Sequence, residues 1–254
     1  CLLEPIKIGG MEVKNRFAVP AMDTKYIHFD GFVTDQFVEY WAARAEGGFG
    51  LLITECTGVD PKGIAAHVLQ IWDDKFIDGL QKVTSRVHEY GAKIVPQLYH
   101  AGRQTRPDCI GGDLPGAPTA IPCSMKRSQP RELTAEEIYA IIERFGDAAV
   151  RAKKAGFDGV EIHGGHGYLV SEFISSYYNK RYDEFGGSFE ARMNFPVKII
   201  QNIKEKCGKD YPVIFRISAD EMCPGGRTIE ETKMVCKALE EAGVDAIDVS
   251  VANY

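Results

Sequence analysis

The chain has 254 residues, a hydrophobic fraction of 44%, a charged fraction of 26% and a formal net charge of −6, which is the profile of one globular domain long enough to bury a substantial core. A mildly acidic chain with no basic run interleaved with aromatics is poorly suited to phosphate backbones, so nucleic acid is not an expected partner. No apolar run reaches bilayer length, the N-terminus lacks a signal-peptide pattern, and the 7 scattered cysteines form no CxxC pair, which argues against membranes, a disulfide framework and a zinc ribbon and for reduced thiols in the cytoplasm.

Short apolar runs alternate with helical patterns. The first predicted strand is 17–22 (FAVPAM), followed by a helix over 35–46 and a strand over 50–55 (GLLITE). A helix over 74–90 leads to a strand over 93–98 (KIVPQL). The next segment, 100–132, is rich in Pro and Gly and has no period. A loop that long, leaving the C-terminal end of a strand, is expected to be a lid over a site rather than a plain insertion. The clearest helix covers 134–154: Thr134 and Glu137 make a capping box, and Ile138, Ile141, Ile142, Phe145 and Ala149 recur at helical spacing. Then come a strand over 159–163 (GVEIH), a helix over 190–206, a strand over 213–217 (VIFRI), a helix over 229–242 and a strand over 246–251 (AIDVSV).

The strands are rich in Val and Ile and lack clean polar alternation, as strands buried on both faces of a parallel sheet do. The segments AGFDGVEI (155–162) and AGVDAIDV (242–249) nearly repeat each other, with GGFGLLIT (47–54) and YGAKIVPQ (90–97) as fainter echoes. In each, a glycine ends a helix and a buried strand follows. Repeated strand–helix–strand units mean right-handed crossovers, and the fold class expected is an α/β (β/α)8 TIM barrel. Six βα units are found, so the domain 1–254 is expected to be incomplete at its C-terminus, with the last two units absent.

The C-terminal ends of barrel strands converge on one mouth. The polar residues there are Asp23, Glu55, Cys56, Gln97, His163, His166 and Arg216. Gln97 and Arg216 are costly inside apolar strands unless each finds a partner. For Arg216 a buried ion pair with a carboxylate such as Glu55 is the structural alternative to a functional role. The stretch EIHGGHGYLVSEF (161–173) holds two histidines three residues apart and a tyrosine just beyond. Metal ligation by the pair, as in a TIM-barrel metal-dependent hydrolase or lyase, a purely structural turn, and a substrate clamp are the competing readings.

KNRFAVPAM, PQLYHAGR, EIHGGHGYLVSEF and NKRYDEFGGSFEARMNFPVKII, with LEPIKIGGMEVKNRF at the start, together resemble the old yellow enzyme family of FMN-dependent NADH:flavin oxidoreductases. The likeness runs from Leu2 to Tyr254 and is greatest to the 2,4-dienoyl-CoA reductase and 2-enoate reductase branch. It implies an ene-reductase: hydride from NADH or NADPH passes through flavin N5 to an activated C=C bond of an enone, enoate or enoyl-CoA type substrate. It implies that Ala21, Met22, Asp23, Cys56, Gln97 and Arg216 line FMN, with Gln97 at the pyrimidine edge and Arg216 near N1 and O2. It implies that His163 and His166 hold the substrate carbonyl oxygen and that Tyr168 protonates carbon. Such chemistry suits the residue types, since two imidazole N–H groups can act as an oxyanion hole and a phenol as a general acid. Gly164 and Gly165 are expected to let the backbone pass close to the ring.

The resemblance assigns no metal and leaves a homo-oligomer open. Larger members carry a 4Fe-4S cluster and FAD in further domains, which are expected only in a longer protein and not in this chain. Asp23 departs from the family, where Cys, Thr, His or Gly is usual. An anion there would oppose a negative reduced flavin unless it is protonated or paired. A non-catalytic fragment is the remaining alternative.

Overall fold

A computed structural model of the chain describes residues 1–123, 125 and 128–253. The chain enters through an antiparallel hairpin, β1 (Ile6–Ile8) and β2 (Met11–Val13), turned by Gly9 and Gly10. It continues through β3 (Ala18–Val19), α1 (Asp35–Glu46), β4 (Leu51–Gly58), the short β5 (Leu69–Gln70), α2 (Ile77–His88) and β6 (Lys93–Tyr99). A small pair, β7 (Gly116–Ala117) and β8 (Arg131–Glu132), precedes α3 (Ala135–Lys154). The remainder is β9 (Val160–Gly164), α4 (Leu169–Ile174), α5 (Phe189–Cys207), β10 (Val213–Ser218), α6 (Ile229–Ala242) and β11 (Ala246–Ser250).

The six expected strands form one curled parallel sheet in the order β11–β10–β9–β6–β4–β3, with β5 added to β4. This is the arrangement of successive βα units of a (β/α)8 barrel, as expected. The first strand is shorter than the predicted 17–22, because Pro20 has no N–H to give the ladder. The helix predicted over 74–90 starts as a 3-10 turn, Asp74–Phe76, capped by the Asp73 side chain. The helix predicted over 134–154 has its capping box, with the Thr134 hydroxyl on Glu137 N and the Glu137 carboxylate on Thr134 N. At the other end of the chain Gly243 closes α6 at φ +107°, a conformation that favours glycine.

The sheet separates two apolar layers, and here the expectation that the strands lack alternation is corrected. Leu52, Ile94, Leu98, Ile162, Phe215 and Ile217 point outward and pack under the helices. Leu51, Ile53, Val95 and Ile214 point inward and pack on Met11 and Val13 of the hairpin, which plugs the N-terminal end of the interior. Alternation is therefore present. It was masked because the inward row is apolar near the plug and polar only further along.

Of the segment 100–132, Gln104, Thr105, Arg106, Cys109 and Met125 share a cavity with Cys56, Tyr99 and Tyr168 at the mouth. Ser124, Lys126 and Arg127, which belong to that expected lid, lie outside the described residues. Arg181, 6% exposed, holds the returning end of this segment. Its guanidinium donates to Leu133 O at 2.7 Å and Pro118 O at 3.2 Å and pairs with Asp183 at 2.5 Å. Asn179 beside it donates to the carbonyls of Phe173 and Phe185. The NKRYDEFGG motif is thus a clasp between the loop and the α4–α5 connection. Arg181→Ala leaves buried carbonyls without a donor and is expected to cost about 2 kcal/mol. Urea unfolding measures it, and a loss below about 0.5 kcal/mol, no more than an ordinary surface change, would contradict the clasp.

Candidate functional site

Beyond the apolar plug the inward-facing row becomes polar. The change begins at a β-bulge. Between Ile53 and Cys56 of β4 the register against β6 shifts, so that Ile53 pairs with Val95 but Cys56 with Gln97. Bulges re-aim side chains, and this one puts Cys56 opposite Gln97 in the inward-facing row. The next layer joins Cys56, Gln97 and Glu161, paired across β4, β6 and β9, to Arg216 and Asp248, paired across β10 and β11 and within electrostatic reach of Glu161, with Arg216 opposite His163 in the β9–β10 register. One step further toward the strand ends stand Tyr99, His163, Ser218 and Ser250.

In the lower layer Gln97 donates from Nε2 to Glu161 Oε1 at 2.7 Å, while its Oε1 accepts from the Cys56 thiol at 3.4 Å. The carboxamide is therefore oriented, with its NH2 toward Glu161. Burial holds the Cys56 thiol protonated by pushing its pKa far up. Arg216 forms an ion pair with Asp248, its neighbour across β10–β11, and reaches Ser250 Oγ at 3.5 Å. The ion-pair alternative for Arg216 holds in kind, but the partner is Asp248. Glu55 serves elsewhere: its Oε2 accepts from Thr24 N at 2.7 Å and Thr24 Oγ1 at 2.5 Å, which anchors the loop after β3.

That loop carries three of the expected cofactor residues. Ala21 packs against the inner apolar layer, and Met22 is 57% exposed. Asp23 pairs with Lys25 at 2.5 Å, so its charge is balanced locally.

In the upper layer His163 is 3% exposed. Its Nδ1 accepts from Gly165 N at 3.3 Å, so the proton of the neutral ring lies on Nε2. Burial and the nearby His166 and Arg216 push its pKa well below the ordinary histidine value, so the ring is neutral at pH 7. His166 stands perpendicular to it with ring centroids 5.1 Å apart. Its backbone is held at φ +56° by Ser218 Oγ on its N–H and Gln104 Nε2 on its carbonyl. Its Nε2 lies 2.7 Å from Ser250 Oγ, and burial lowers its pKa too. The Tyr168 ring meets His163 at 4.8 Å and Tyr99 at 5.3 Å between centroids. The structure thus brings His163, His166 and Tyr168 into one cluster. Gly164 has a packing reason of its own: a Cβ there would lie 2.1 Å from the Phe215 ring.

A cavity of about 310 Å³ opens beside Tyr168, lined by Asp23, Cys56, Tyr99 and Tyr168 and, from the long loop, by Thr105 and Arg106. The loop is therefore one wall of that cavity. Among the described residues no group of three or more His, Cys, Asp or Glu is placed to hold a metal ion. No helix of the described residues is long and apolar enough to cross a membrane.

Sequence reasoning missed Glu161, Asp248, Ser218, Ser250, Tyr99 and Glu172. The first five were legible as period-2 partners: Glu161 with His163, Asp248 with Ser250, Arg216 with Ser218, Gln97 with Tyr99. Tyr99 accepts from Ala65 N at 2.9 Å and ties the β4–β5 connection to the mouth. Glu172, fully buried on α4, accepts from Arg103 N at 3.0 Å, and burial raises its pKa to about 8.

Because the folded pKa of Glu172 is raised, the folded state keeps a proton that the unfolded state releases above pH 4.5. Its contribution therefore declines as pH rises from about 4.5 to about 8. Glu172→Gln removes that decline. Its stability relative to the unsubstituted protein is expected to rise by ~1 kcal/mol per pH unit across this window. Urea unfolding at pH 5 and pH 7 reads it, and an unchanged difference contradicts the assignment.

The family model for NADH:flavin oxidoreductase / NADH oxidase matches residues 1–254. An NADH oxidase of Thermoanaerobacter brockii is 50% identical over 250 residues, covering 98% of this chain, and the chain spans 38% of that relative's length. A structure of 2-naphthoyl-CoA reductase with 2-naphthoyl-CoA superposes at a TM-score of 0.94 with 32% identity, covering 100% of this chain and 41% of that one. An old yellow enzyme homologue from Zymomonas mobilis superposes at 0.88 with 29% identity, over 98% of this chain and 72% of that one.

Proposed function

The chain belongs to the NADH:flavin oxidoreductase / NADH oxidase family, and on that premise we propose that it reduces a C=C bond conjugated to a carbonyl, using FMN and NADH or NADPH. The observation that carries this reading is the order of the interior: an oriented amide and a guanidinium in one layer, imidazoles and a phenol in the next.

The residues fit FMN. Gln97 presents a carbonyl oxygen that suits an imide N–H, Arg216 a cation for the side of the ring that gains negative charge, and Cys56 a small side chain beside a flat ring. FMN, when bound, supplies the hydride taken from NAD(P)H.

The remaining chemistry falls to this chain. Neutral His163 offers Nε2–H to the substrate carbonyl oxygen, where charge builds as the β carbon is reduced. His166 stands at right angles to it as the second donor; to use Nε2 it exchanges the Ser250 hydroxyl for the carbonyl oxygen. Tyr168, against His163 and at the cavity wall, delivers the proton to the α carbon. The wall supplied by the long loop excludes water. The 2-naphthoyl-CoA reductase likeness favours a thioester of an unsaturated or aromatic acid over a simple enone.

An anaerobic titration tests the reading. NADH or NADPH should bleach the flavin bands, and an enoyl thioester, enoate or enone should restore them. Bleaching that none of the three reverses would show that the electrons go to another acceptor.

A further inference from the structure

Glu161 has no part in the chemistry described so far, yet it occupies the centre of the polar layer. It is fully buried on β9, with Gln97 of β6 directly across the ladder. Oε1 takes the Gln97 amide N–H at 2.7 Å, while no donor among the described residues reaches the buried Oε2. The charged and titratable groups facing Glu161 are Cys56 on β4, Arg216 on β10 and Asp248 on β11. Asp248 lies within hydrogen-bonding reach and is already paired with Arg216.

A proton shared with the neighbouring Asp248 carboxylate satisfies that buried oxygen. With that proton in place, Arg216 and Asp248 cancel and the layer carries no net charge. Without it, the layer carries one negative charge.

Resting on the FMN reading above, we propose that Glu161 is a positioning residue of the cofactor site that also tunes it. It fixes the Gln97 carboxamide, with the NH2 on Glu161 and the carbonyl on the Cys56 side, and its shared proton keeps the floor of the site neutral so that the cofactor can take up negative charge. Burial and the Asp248 charge place its ionisation at about pH 8. Above that pH a negative floor opposes the negative reduced ring, so reduction draws a proton back onto Glu161. The other groups are clear of this window: burial and neighbouring charges drive the Cys56 thiol far above it, and His163 and His166 titrate below the ordinary histidine value. Glu172 ionises at a similar pH but sits on α4, on a different element.

The test is the midpoint potential of the bound flavin measured from pH 6 to pH 10 in the flavin-loaded protein and in Glu161→Gln. The glutamine is isosteric and cannot ionise. In the unsubstituted protein the potential should steepen above about pH 8 by one extra proton per two electrons. That is a tenfold change in equilibrium constant per pH unit, ~30 mV. In Glu161→Gln the steepening should be absent. No steepening in the unsubstituted protein, or the same steepening in Glu161→Gln, overturns the proposal.

Infrared difference spectra of the cofactor-free protein decide independently of FMN. Two carboxyl components should disappear as pH rises through about 8, and loss of one of them in Glu161→Gln, with the Glu172 component retained and absent only in Glu172→Gln, supports the proposal. Identical spectra for the unsubstituted protein and Glu161→Gln overturn it. A protein that takes up no FMN but shows the Glu161 component disproves the FMN reading and leaves the shared proton standing.

Discussion

Replacing Tyr168 with phenylalanine is expected to slow alkene reduction by roughly 10²–10⁴-fold, the range of a lost general acid, while sparing reduction of the flavin by NAD(P)H. The ring is held by its faces and edges: it meets His163 and Tyr99 at near-perpendicular angles, and its backbone precedes α4 in an extended conformation. Phenylalanine keeps all of that packing and removes only the hydroxyl. Only the half-reaction that delivers a proton to carbon then changes. Stopped-flow absorbance resolves the two halves. Equal slowing of both would mean that the hydroxyl positions the ring or the nucleotide instead.

The second large effect concerns the imidazoles. His163→Ala and His166→Ala should each weaken phenol binding and slow turnover by roughly 10²–10³-fold, as the loss of one oxyanion donor does, with flavin still bound. The structure separates the two. His163 is neutral, with Nδ1 committed to Gly165 N, so Nε2–H is fixed as a donor. His166 must first leave Ser250 to use Nε2. His163→Asn, which keeps an N–H group, should recover part of the loss at 163. Phenol titration by its long-wavelength charge-transfer band measures affinity directly. Phenol affinity unchanged in both alanine variants removes the clamp from the account.

Most of the sheet was legible because each strand sits between a glycine-ended helix and a polar loop. β6, β9, β10 and β11 lie within a residue or two of their predicted ends. The hairpin β1–β2 was missed although IKI-GG-MEV carries the signal of a two-residue turn between alternating apolar residues. α4 was missed because its six residues, all buried, show no amphipathic period. The site residues read from the strand ends do converge on one mouth. Glu161 and Asp248 share their faces with His163 and Ser250 by period 2, but that they meet Gln97 and Arg216 follows from the strand register, which the string does not show. The bulge at Ile53–Cys56 cannot be seen in GLLITEC, since nothing in that string marks an extra residue.

The most direct test of the central claim is the visible absorption spectrum of the purified protein, with the mass of the cofactor released on denaturation. The account predicts flavin bands, stoichiometric FMN, and bands that shift when Gln97 or Arg216 is substituted. A colourless protein that neither retains nor takes up FMN, or flavin bands indifferent to both substitutions, would contradict it.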